Sequence, residues 1–385
     1  MVYPSSEIDS HPPPRVLHVL DTLARGGAQM LMLDVCRNAS ANNLKLTLVA
    51  TGGGDLEKDF RASGVDFISL PRRSPLDLKL IAQLRKIIRE RRIQIVHSHQ
   101  AVEALPAYLA TLGTGVKRVL SFHGGAFDTR NRMALNFLVP RMDGNISVSK
   151  GYLARLEEAE KFNVKKNFRV IHNGVDAKRL DAANRRRPLR AELDLSDSDL
   201  LLGMTGNFYP IVKKDQLTIC KALPQVFASA PHAHFAFVGG RSGTAPELFD
   251  DCVNYCREQG IDDRVHFLGK RSDVADVLAS LDIFCFSSLE DTFGIAVVEA
   301  MMMGLPVVVS DIPPLIEVSG AGIYARTFRV QDADDLAQKL LQLIKDESAR
   351  RELGAKAKKW ALQEFGIDTH IARLNNLYKD ITSAA

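Results

Sequence analysis

The stretch FCFSSLEDTFGIAVVEAMMMGLPVVVSDIPPLIE, from Phe284 to Glu317, decides the fold of this chain. It begins within an apolar run, Leu281 to Phe286, which is short enough to be a buried parallel strand. After an acidic loop, AVVEAMMM is apolar on nearly every side, which is typical of a helix buried between a sheet and another layer. Gly304 and Pro306 end this helix, and VVVS is the next strand. The pattern predicts strand, loop, helix and strand, with polar groups where the first strand ends.

The start of this helix is a candidate phosphate site. The first turn of a helix leaves N–H groups unpaired at the positive end of the macrodipole, and Gly294 lets a ligand approach closely. We therefore expect the amides of Phe293, Gly294 and Ile295 to bind phosphate. Glu299 lies further along a helix that is otherwise almost entirely apolar, where an unpaired carboxylate is costly, so it should face a polar ligand.

The spacing of the two acids carries a resemblance. Asp291 and Glu299 are separated by seven residues with FG between them, which resembles the E-x7-E signature of family 4 glycosyltransferases, retaining enzymes of the GT-B fold that use nucleotide sugars. The resemblance implies that Glu299 binds the ribose hydroxyls, the helix start binds the diphosphate, and Asp291 contacts the transferred sugar. The first acid departs from the pattern, because the family usually has Glu there and Glu290 comes one residue early. A plain βαβ unit with a solvated acidic loop is the alternative.

Composition limits the classes of protein and partner. The chain has 385 residues, of which 46% are hydrophobic and 25% charged, which suits two soluble domains and excludes disordered and fibrous classes. The net charge is +4, with basic runs at Arg85–Arg92 and Arg185–Arg190. Such runs are solvated faces, or they contact an anionic membrane surface or an acidic acceptor. Since no aromatic residues alternate with them, nucleic acid is not an expected partner.

The five cysteines form no disulfide framework, which indicates a reducing compartment, and Cys252 and Cys256 are interpreted as packing residues. The N-terminus has no apolar core like that of a signal peptide, and no 18-residue apolar span occurs. We therefore expect a cytoplasmic protein, soluble or peripheral at the inner face of the membrane.

Two series of alternating strands and helices predict the architecture, because alternation at this spacing specifies parallel, doubly wound sheets. The strands of the first series are RVLHVL, KLTLVA, VDFISL, IQIVHSH, KRVLSFHG, GNISVS and FRVIHN, and those of the second are LLLGMTG, AHFAFVGG, RVHFLG, LDIFCF and LPVVVS. From Asp332 the pattern is helical to the end.

The predicted fold class is α/β, with two Rossmann-like domains that face each other across a cleft in the GT-B fold. VIHNGVD, ending at Asp176, is similar to the motif with which family 4 enzymes leave the first domain, and a Pro- and Arg-rich linker follows. Residues 1–183 are predicted to form the acceptor-side domain and residues 184–366 the nucleotide-sugar-binding domain. The resemblance implies that the last helix, 367–383, packs back on the first domain.

The loop RGGAQ after the first strand lacks the third glycine of a dinucleotide fingerprint. It is similar to the GGAE-type loop of the family, whose amides approach the donor phosphate and the acceptor. Gly26 and Gly27 are therefore donor-binding candidates, with a bare tight turn as the alternative.

Three histidines are predicted to lie near the carboxyl edge of the first sheet, where ligands bind in such folds. His97 and His99 share one strand face by the period of two, and His123 ends the following strand. His123, in HGG, matches the family's histidine next to the donor sugar and is a catalytic candidate. His97 and His99 line the acceptor side or pack in the core, and His99 is the acceptor-side candidate. Three histidines also suit zinc, but no carboxylate or cysteine stands beside them in sequence, so we expect no metal and no other cofactor.

The second series offers candidates for the diphosphate clamp. The family usually has an arginine and then a lysine after the first strand; here the arginine position is Asn207, and Lys214, with Lys213 beside it, matches the lysine. Three cations past later strand ends either supply the missing charge or are solvated loop residues: Arg241, Lys270 and Arg271.

The predicted function is retaining, metal-independent, hexosyltransferase-like transfer from a UDP- or GDP-sugar to a glycan or glycolipid acceptor, in polysaccharide or glycolipid synthesis. Lys214 and the amides at the helix start would stabilise the charge on the leaving diphosphate. One alternative is a sugar-nucleotide epimerase of the same fold. The other is a catalytically inactive sugar-binding relative, suggested by Asn207 and Asp291.

Overall fold

The chain divides into two compact units in the computed structural model, which describes residues 13–74, 76–124, 129–164, 167–180, 188–209, 213–241 and 247–383. The first unit contains Met1–Ser147, Glu160–Gly174 and His370–Ala385, and the second contains Val148–Ala159 and Val175–Thr369. This division differs from the predicted domains by placing residues 148–159 and 175–183 with the second unit.

The first unit is built on a seven-stranded parallel sheet with the order β3-β2-β1-β4-β5-β6-β7. The strand order reverses between β1 and β4, and ligands bind at such switch points. Its strands are β1 (Arg15–Leu20), β2 (Lys45–Ala50), β3 (Asp66–Ser69), β4 (Ile95–Ser98), β5 (Lys117–Phe122), β6 (Gly144–Ser147) and β7 (Phe168–Val170). Its helices are α1 (Gly27–Asn38), α2 (Glu57–Arg61), α3 (Leu78–Glu90), α4 (Ala101–Thr111), α5 (Thr129–Leu138) and the last helix from His370 onward.

The second unit contains a six-stranded parallel sheet with the order β10-β9-β8-β11-β12-β13, and its strand order reverses between β8 and β11. Its strands are β8 (Leu200–Thr205), β9 (Ala233–Val238), β10 (Val265–Phe267), β11 (Ile283–Phe286), β12 (Val307–Ser310) and β13 (Arg326–Phe328). The helices are α6 (Lys150–Glu158), α7 (Pro188–Glu192), α8 (Gln216–Ser229), α9 (Glu247–Glu258), α10 (Val274–Ser280), α11 (Ile295–Met303), α12 (Pro313–Val318), α13 (Ala333–Lys345) and α14 (Glu347–Phe365), and the chain then enters α15 (Ile367–Ser383).

Helix α3 shows how the sequence pattern forms the core. Asp77 caps the helix, because its carboxylate accepts a hydrogen bond from Leu80 N at 3.0 Å. Leu80, Leu84 and Ile88 lie four residues apart on one face and pack into the apolar cluster that includes Leu17 of β1. Lys86, Arg89 and Glu90, which belong to the first basic run, lie off this face and are exposed.

The two predicted parallel sheets are confirmed, and the differences lie in short elements. Strand β13 and helix α12 were not predicted, and α7 lies inside the predicted linker, because segments of three to six residues are too short to show a period. Part of that linker, including Arg185–Arg187 of the second basic run, lies outside the described residues, as does the second glycine of HGG.

All five cysteines are free and buried, so Cys252 and Cys256 are packing residues, as predicted. Among the described residues, no helix combines the length and the apolar character needed to cross a membrane.

Candidate active site

Lys214 and Asp291, two of the predicted site residues, lie together beside the switch point of the second sheet. Lys214 pairs with Ser288 in an antiparallel bridge, and Asp215 N donates to Ser287 O at 3.0 Å. The loop after β11 is also attached to β12, since Ser288 N donates to Ser310 Oγ at 2.9 Å. These bonds fix the segment after β8 against the loop that carries Asp291.

Lys214 and Asp291 form an ion pair, with 2.5 Å between Nζ and Oδ2 and with side chains only 16% and 14% exposed. The Lys214 ammonium also lies 4.6 Å from the centre of the Phe286 ring. Asp291 Oδ1 accepts from Thr292 N at 2.7 Å and Phe293 N at 3.2 Å. Burial alone would raise the pKa of the Asp291 carboxyl, but the charge of Lys214 and these hydrogen bonds lower it below its ordinary value. The Asp291 carboxyl is therefore ionised at neutral pH.

The start of α11 has the geometry expected of a phosphate site. Gly294 caps the helix with φ 97° and ψ 55°, in the left-handed region that favours glycine, and a Cβ there would lie 2.7 Å from Leu315 Cδ2. The Phe293 side chain is buried against Phe365, and its backbone N–H donates to Asp291 Oδ1. The first-turn amides, Ile295 among them, have no acceptor within the helix.

Glu299 is 8% exposed, and its carboxylate has an ion-pair partner. Its Oε1 accepts from the Arg179 guanidinium at 2.5 Å. Arg179 ends a 3-10 turn, Ala177–Arg179, which Asp176 caps by accepting from Lys178 N at 3.0 Å. Sequence reasoning missed Arg179, although it stands three residues after the recognised VIHNGVD motif, because nothing local links it to a glutamate 120 residues away.

Glu290 and Lys213 form a separate pair on the exposed side of the same loop. Glu290 Oε1 lies 3.6 Å from Lys213 Nζ and also pairs with Arg155 of α6. Burial opposes ionisation of Glu290, but the two cations lower its pKa. Glu290 is therefore half-exposed and ion-paired.

Two predicted donor-binding residues have other partners. Asn207 Oδ1 accepts from Gly240 N at 2.9 Å and so joins the loops after β8 and β9. Arg271 donates to Asp273 and Glu192, with the closest contacts at 2.7 and 2.8 Å, and these hydrogen bonds raise its pKa. No described contact joins Arg271 to Lys214 or Asp291. The donor-binding roles of Asn207 and Arg271 stay predictions.

In the first unit, Gly26 caps α1 and Gly27 begins it. The preceding loop packs directly on a second glycine loop, since a Cβ on Gly54 would lie 2.1 Å from Leu23 C and Ala24 N. This close approach requires glycine at position 54, a feature that the sequence reasoning did not use.

His99 and His123 belong to a larger buried group, which we call the histidine chain: Ser121, His97, Tyr378, His18, His99 and His123. Its successive contacts are His97 Nε2 to Ser121 Oγ at 2.7 Å, His97 Nδ1 to Tyr378 Oη at 2.6 Å, Tyr378 Oη to His18 Nε2 at 3.2 Å, His18 Nδ1 to His99 Nε2 at 2.9 Å, and His99 Nδ1 to His123 Nε2 at 3.0 Å. Sequence reasoning did not include Ser121, His18 or Tyr378.

Burial lowers the pKa of every imidazole in this chain, to about 3 for His18 and about 4 for His123, so the rings are neutral at pH 7. The ligand atoms of His18, His97 and His99 lie within 4.8 Å of one another, a spacing that also suits a metal ion. All six of their ring nitrogens already have hydrogen-bond partners.

Comparison with known proteins places this geometry in a family. Residues 25–179 match the family described as Glycosyltransferase Family 4, and residues 199–346 match Glycosyl transferases group 1. The chain is 26% identical over 316 residues to N-acetyl-alpha-D-glucosaminyl L-malate synthase of Bacillus anthracis, covering 80% of each chain. It is 24% identical over 320 residues to UDP-Gal:alpha-D-GlcNAc-diphosphoundecaprenol alpha-1,3-galactosyltransferase of Escherichia coli, covering 79% of this chain and 80% of that one.

The fold is shared with a solved structure, Anabaena Alr3699/HepE in complex with UDP and glucose. The TM-score is 0.80 at 19% identity, and the match covers 97% of this chain and all of the other. These matches favour the predicted transferase and give no support to the epimerase alternative. The chain is an enzyme with the GT-B fold, and it belongs to the family 4 glycosyltransferases.

Proposed function

We propose that this enzyme transfers a sugar, with retention at the anomeric carbon, from a UDP-sugar to a glycan or glycolipid acceptor without a metal ion. The observation that carries the proposal is the buried Lys214–Asp291 pair beside the start of α11, with Glu299 on the same helix. The UDP bound to Alr3699/HepE and the UDP-Gal in the name of the E. coli relative support a UDP-sugar as the donor.

The ion pair suggests how the donor is held. A diphosphate entering this loop would compete with Asp291 for the Lys214 ammonium, and the α11 amides would bind the same phosphates. Asp291, released from Lys214, would then contact the sugar hydroxyls. Because Lys214 and the amides supply positive charge where it develops on the leaving diphosphate, the site does not need a cation for that role.

Glu299 suits the ribose hydroxyls, because a carboxylate accepts hydrogen bonds from both. Arg179 would hold its Oε1, leaving Oε2 to the ligand. No side chain need be a nucleophile if the departing phosphate oxygen takes the proton of the acceptor hydroxyl, as the family resemblance implies.

We propose a glycolipid or polysaccharide acceptor and a cytoplasmic enzyme at the inner face of the membrane. The name of the E. coli relative includes a diphosphoundecaprenol-linked acceptor, which supports a lipid-linked substrate. In this chain, Leu76 precedes α3 and Leu78 begins it; they are 55% and 73% exposed, and the exposed Lys79 follows them. Apolar and basic side chains together suit an anionic lipid surface.

A donor panel tests the proposal. The purified enzyme is incubated with UDP-, GDP- and ADP-sugars, with and without undecaprenyl-diphosphate-linked sugar and with EDTA. We expect UDP-sugars to raise the melting temperature of the enzyme and UDP release to depend on the acceptor. We also expect an α-anomeric product from an α-linked donor and the same turnover with EDTA as without it. Formation of an epimerised donor would favour the epimerase. Donor binding without turnover would favour the inactive relative. Loss of turnover with EDTA would exclude the metal-free mechanism.

A further inference from the structure

We propose that Ser149, at the start of α6, is a positioning residue of this glycosyltransferase. Its hydroxyl fixes the peptide group between Thr292 and Phe293 in the loop that carries Asp291. We call this loop, residues 287–294, the donor loop. What Asp291 contacts in the donor rests on the proposed function. The contacts that fix the loop lie within the second unit and do not depend on that function.

Helix α6 lies between β6 and β7 in sequence, yet it belongs to the second unit. Its first turn is tied to α12, because Lys150 N and Gly151 N donate to Glu317 Oε2 at 2.8 and 3.1 Å. A carboxylate also suits the positive end of a helix. The start of α6 is therefore fixed against α12.

The Ser149 hydroxyl is buried and both accepts and donates. Its Oγ accepts from Tyr152 N at 3.0 Å, which caps α6, and it donates to Thr292 O at 2.7 Å. Capping needs only an oxygen that accepts, which a carboxylate supplies equally well, whereas the bond to Thr292 needs an O–H. The bond to the donor loop, and not the cap, therefore uses the donor capacity of Ser149.

The bond to Thr292 O orients one peptide group. Because a trans peptide group is planar, its C=O and N–H point in opposite directions. The Thr292 C=O is directed at Ser149, so the Phe293 N–H points away from it and donates to Asp291 Oδ1 at 3.2 Å. A hydrogen bond to the carbonyl also polarises the peptide group and strengthens donation by its N–H.

This peptide group helps to hold the Asp291 carboxylate. Oδ1 accepts from Thr292 N at 2.7 Å and from Phe293 N, while Oδ2 pairs with Lys214. Without the Ser149 hydroxyl the peptide group could rotate, and the longer bond, from Phe293 N, would weaken first. Because the same peptide group leads into the cap of α11 at Gly294, both the carboxylate and the start of α11 would shift.

A second contact from α6 reaches the same loop. Arg155 pairs with Glu290, one residue before Asp291, and the two side chains are 33% and 38% exposed. Water screens an ion pair at such exposure, so it holds the loop less firmly than a buried hydrogen bond does. Ser149 is therefore the residue of α6 whose loss should disturb the donor loop most.

Two variants separate the hydroxyl from the cap. Ser149→Gly removes the hydroxyl, adds no charge and loses only a small part of the capping stability, and Ser149→Asp keeps a capping oxygen but cannot donate. Ser149→Asp also remains available if Ser149→Gly does not fold. Asp346→Gly is the matched control, because it removes a side-chain cap from α14, where Asp346 accepts from Ala349 N at 2.9 Å.

Steady-state kinetics with the UDP-sugar found in the donor panel measures the effect on turnover. We expect kcat to fall about three- to tenfold in Ser149→Gly and Ser149→Asp, the factor for one weakened hydrogen bond, with a smaller change in UDP affinity. Asp346→Gly should leave both quantities unchanged. The kcat of the parent enzyme in either Ser149 variant would overturn the proposal, since a residue that only caps α6 gives that result in Ser149→Asp.

NMR of the whole, ligand-free enzyme tests the peptide group itself. Labelling threonine with ¹³C at the carbonyl and phenylalanine with ¹⁵N selects the two Thr–Phe peptide bonds of the sequence, Thr292–Phe293 and Thr327–Phe328. Thr327→Ser identifies the second signal by removing it.

In Ser149→Gly we expect the Thr292 carbonyl signal to move to lower frequency and the Phe293 amide to exchange faster with solvent. The Thr327–Phe328 signal should stay in place, and Asp346→Gly should move neither signal. A Thr292–Phe293 signal that is unchanged in Ser149→Gly would overturn the proposal. Since this measurement needs no sugar, it can fail while the donor panel succeeds, and the reverse.

Discussion

The two sheets place different polar groups at the same topological position, beside the strand pair where the order reverses. The first unit places neutral imidazoles and hydroxyls there, whereas the second places the ion pairs Lys214–Asp291 and Arg179–Glu299. Both sets are largely buried, and their polar atoms have different kinds of partner. The neutral groups form a continuous run of hydrogen bonds from Ser121 to His123. An ion pair instead holds a cation that a ligand phosphate can take over from a carboxylate.

The largest expected effect is on folding at mildly acidic pH. The unfolded pKa of histidine is about 6.5, while the folded pKa is about 3 for His18 and about 4 for His123 and His370. The unfolded chain therefore binds more protons as pH falls from 6.5 towards 4, and the first unit should lose roughly 1 kcal/mol of unfolding free energy per buried histidine by pH 5.5.

Hydrogen exchange of strand peptides, corrected for the intrinsic exchange rate at each pH, measures the loss of unfolding free energy in each unit. The pKa of Asp291 is lowered, so its stabilising contribution is lost only as pH falls through a value below 3.8. His234 and His266, whose pKa burial also lowers, lie nearer the surface, and a smaller loss is expected from them. Equal loss of protection in β1 and β8 between pH 6.5 and 5 would contradict the contrast between the units.

The next largest effect is expected for Lys214→Ala. Its ammonium is predicted to bind the charge that grows on the diphosphate, so kcat should fall about a hundred- to thousandfold, with a smaller change in donor affinity. Lys213→Ala is the control, because Lys213 pairs with Glu290 and is half-exposed. If Lys213→Ala is the damaging change, the assignment of the lysine is off by one residue.

Glu299→Gln should weaken UDP binding by about ten- to a hundredfold, the cost of losing one charged hydrogen bond, while the fold is retained. Titration calorimetry with UDP measures it. Glu192→Gln is the matched control, because Glu192 pairs with Arg271. We expect this variant to leave UDP affinity unchanged. Equal affinity in Glu299→Gln and the parent enzyme would remove Glu299 from the nucleotide site.

The smallest effect is expected for Asp291→Glu, which keeps the partner charge of Lys214 and lengthens the side chain by one methylene. The preference among UDP-sugars should change a few-fold, whereas Asp291→Asn should lower turnover with every donor. Glu290→Ala should do neither, because Glu290 is held by Arg155 and Lys213. Loss of activity in Glu290→Ala with a silent Asp291→Asn would transfer the sugar contact to Glu290.

The strands, the parallel sheets and the helix start at Gly294 were predictable from sequence, because each leaves a local pattern. An apolar run of four to six residues, a glycine before an apolar helix and alternation at regular spacing all arise from neighbours in the chain. The D-x7-E spacing is a local pattern too. It indicated the family, and the family's usual lysine after the first strand of the second series then identified Lys214.

The partners that complete the site were not predictable in this way. Arg179 reaches Glu299 across 120 residues, and Tyr378 reaches His97 across 281. An arginine in a turn and a tyrosine on an amphipathic helix are common, and no period or spacing distinguishes these two. Their importance depends on tertiary placement, which one sequence without an alignment does not reveal.

The position of Tyr378 has a consequence for biosynthesis. His18 and His97 leave the ribosome early, and their strands can pair while the rest of the chain is still being translated. The hydroxyl that joins them is made 281 residues after His97. Until then no tyrosine hydroxyl joins His97 Nδ1 to His18 Nε2. A truncated product that stops before Tyr378 should therefore contain the complete donor-binding loop and still lack the hydroxyl that joins the two imidazoles of the first sheet.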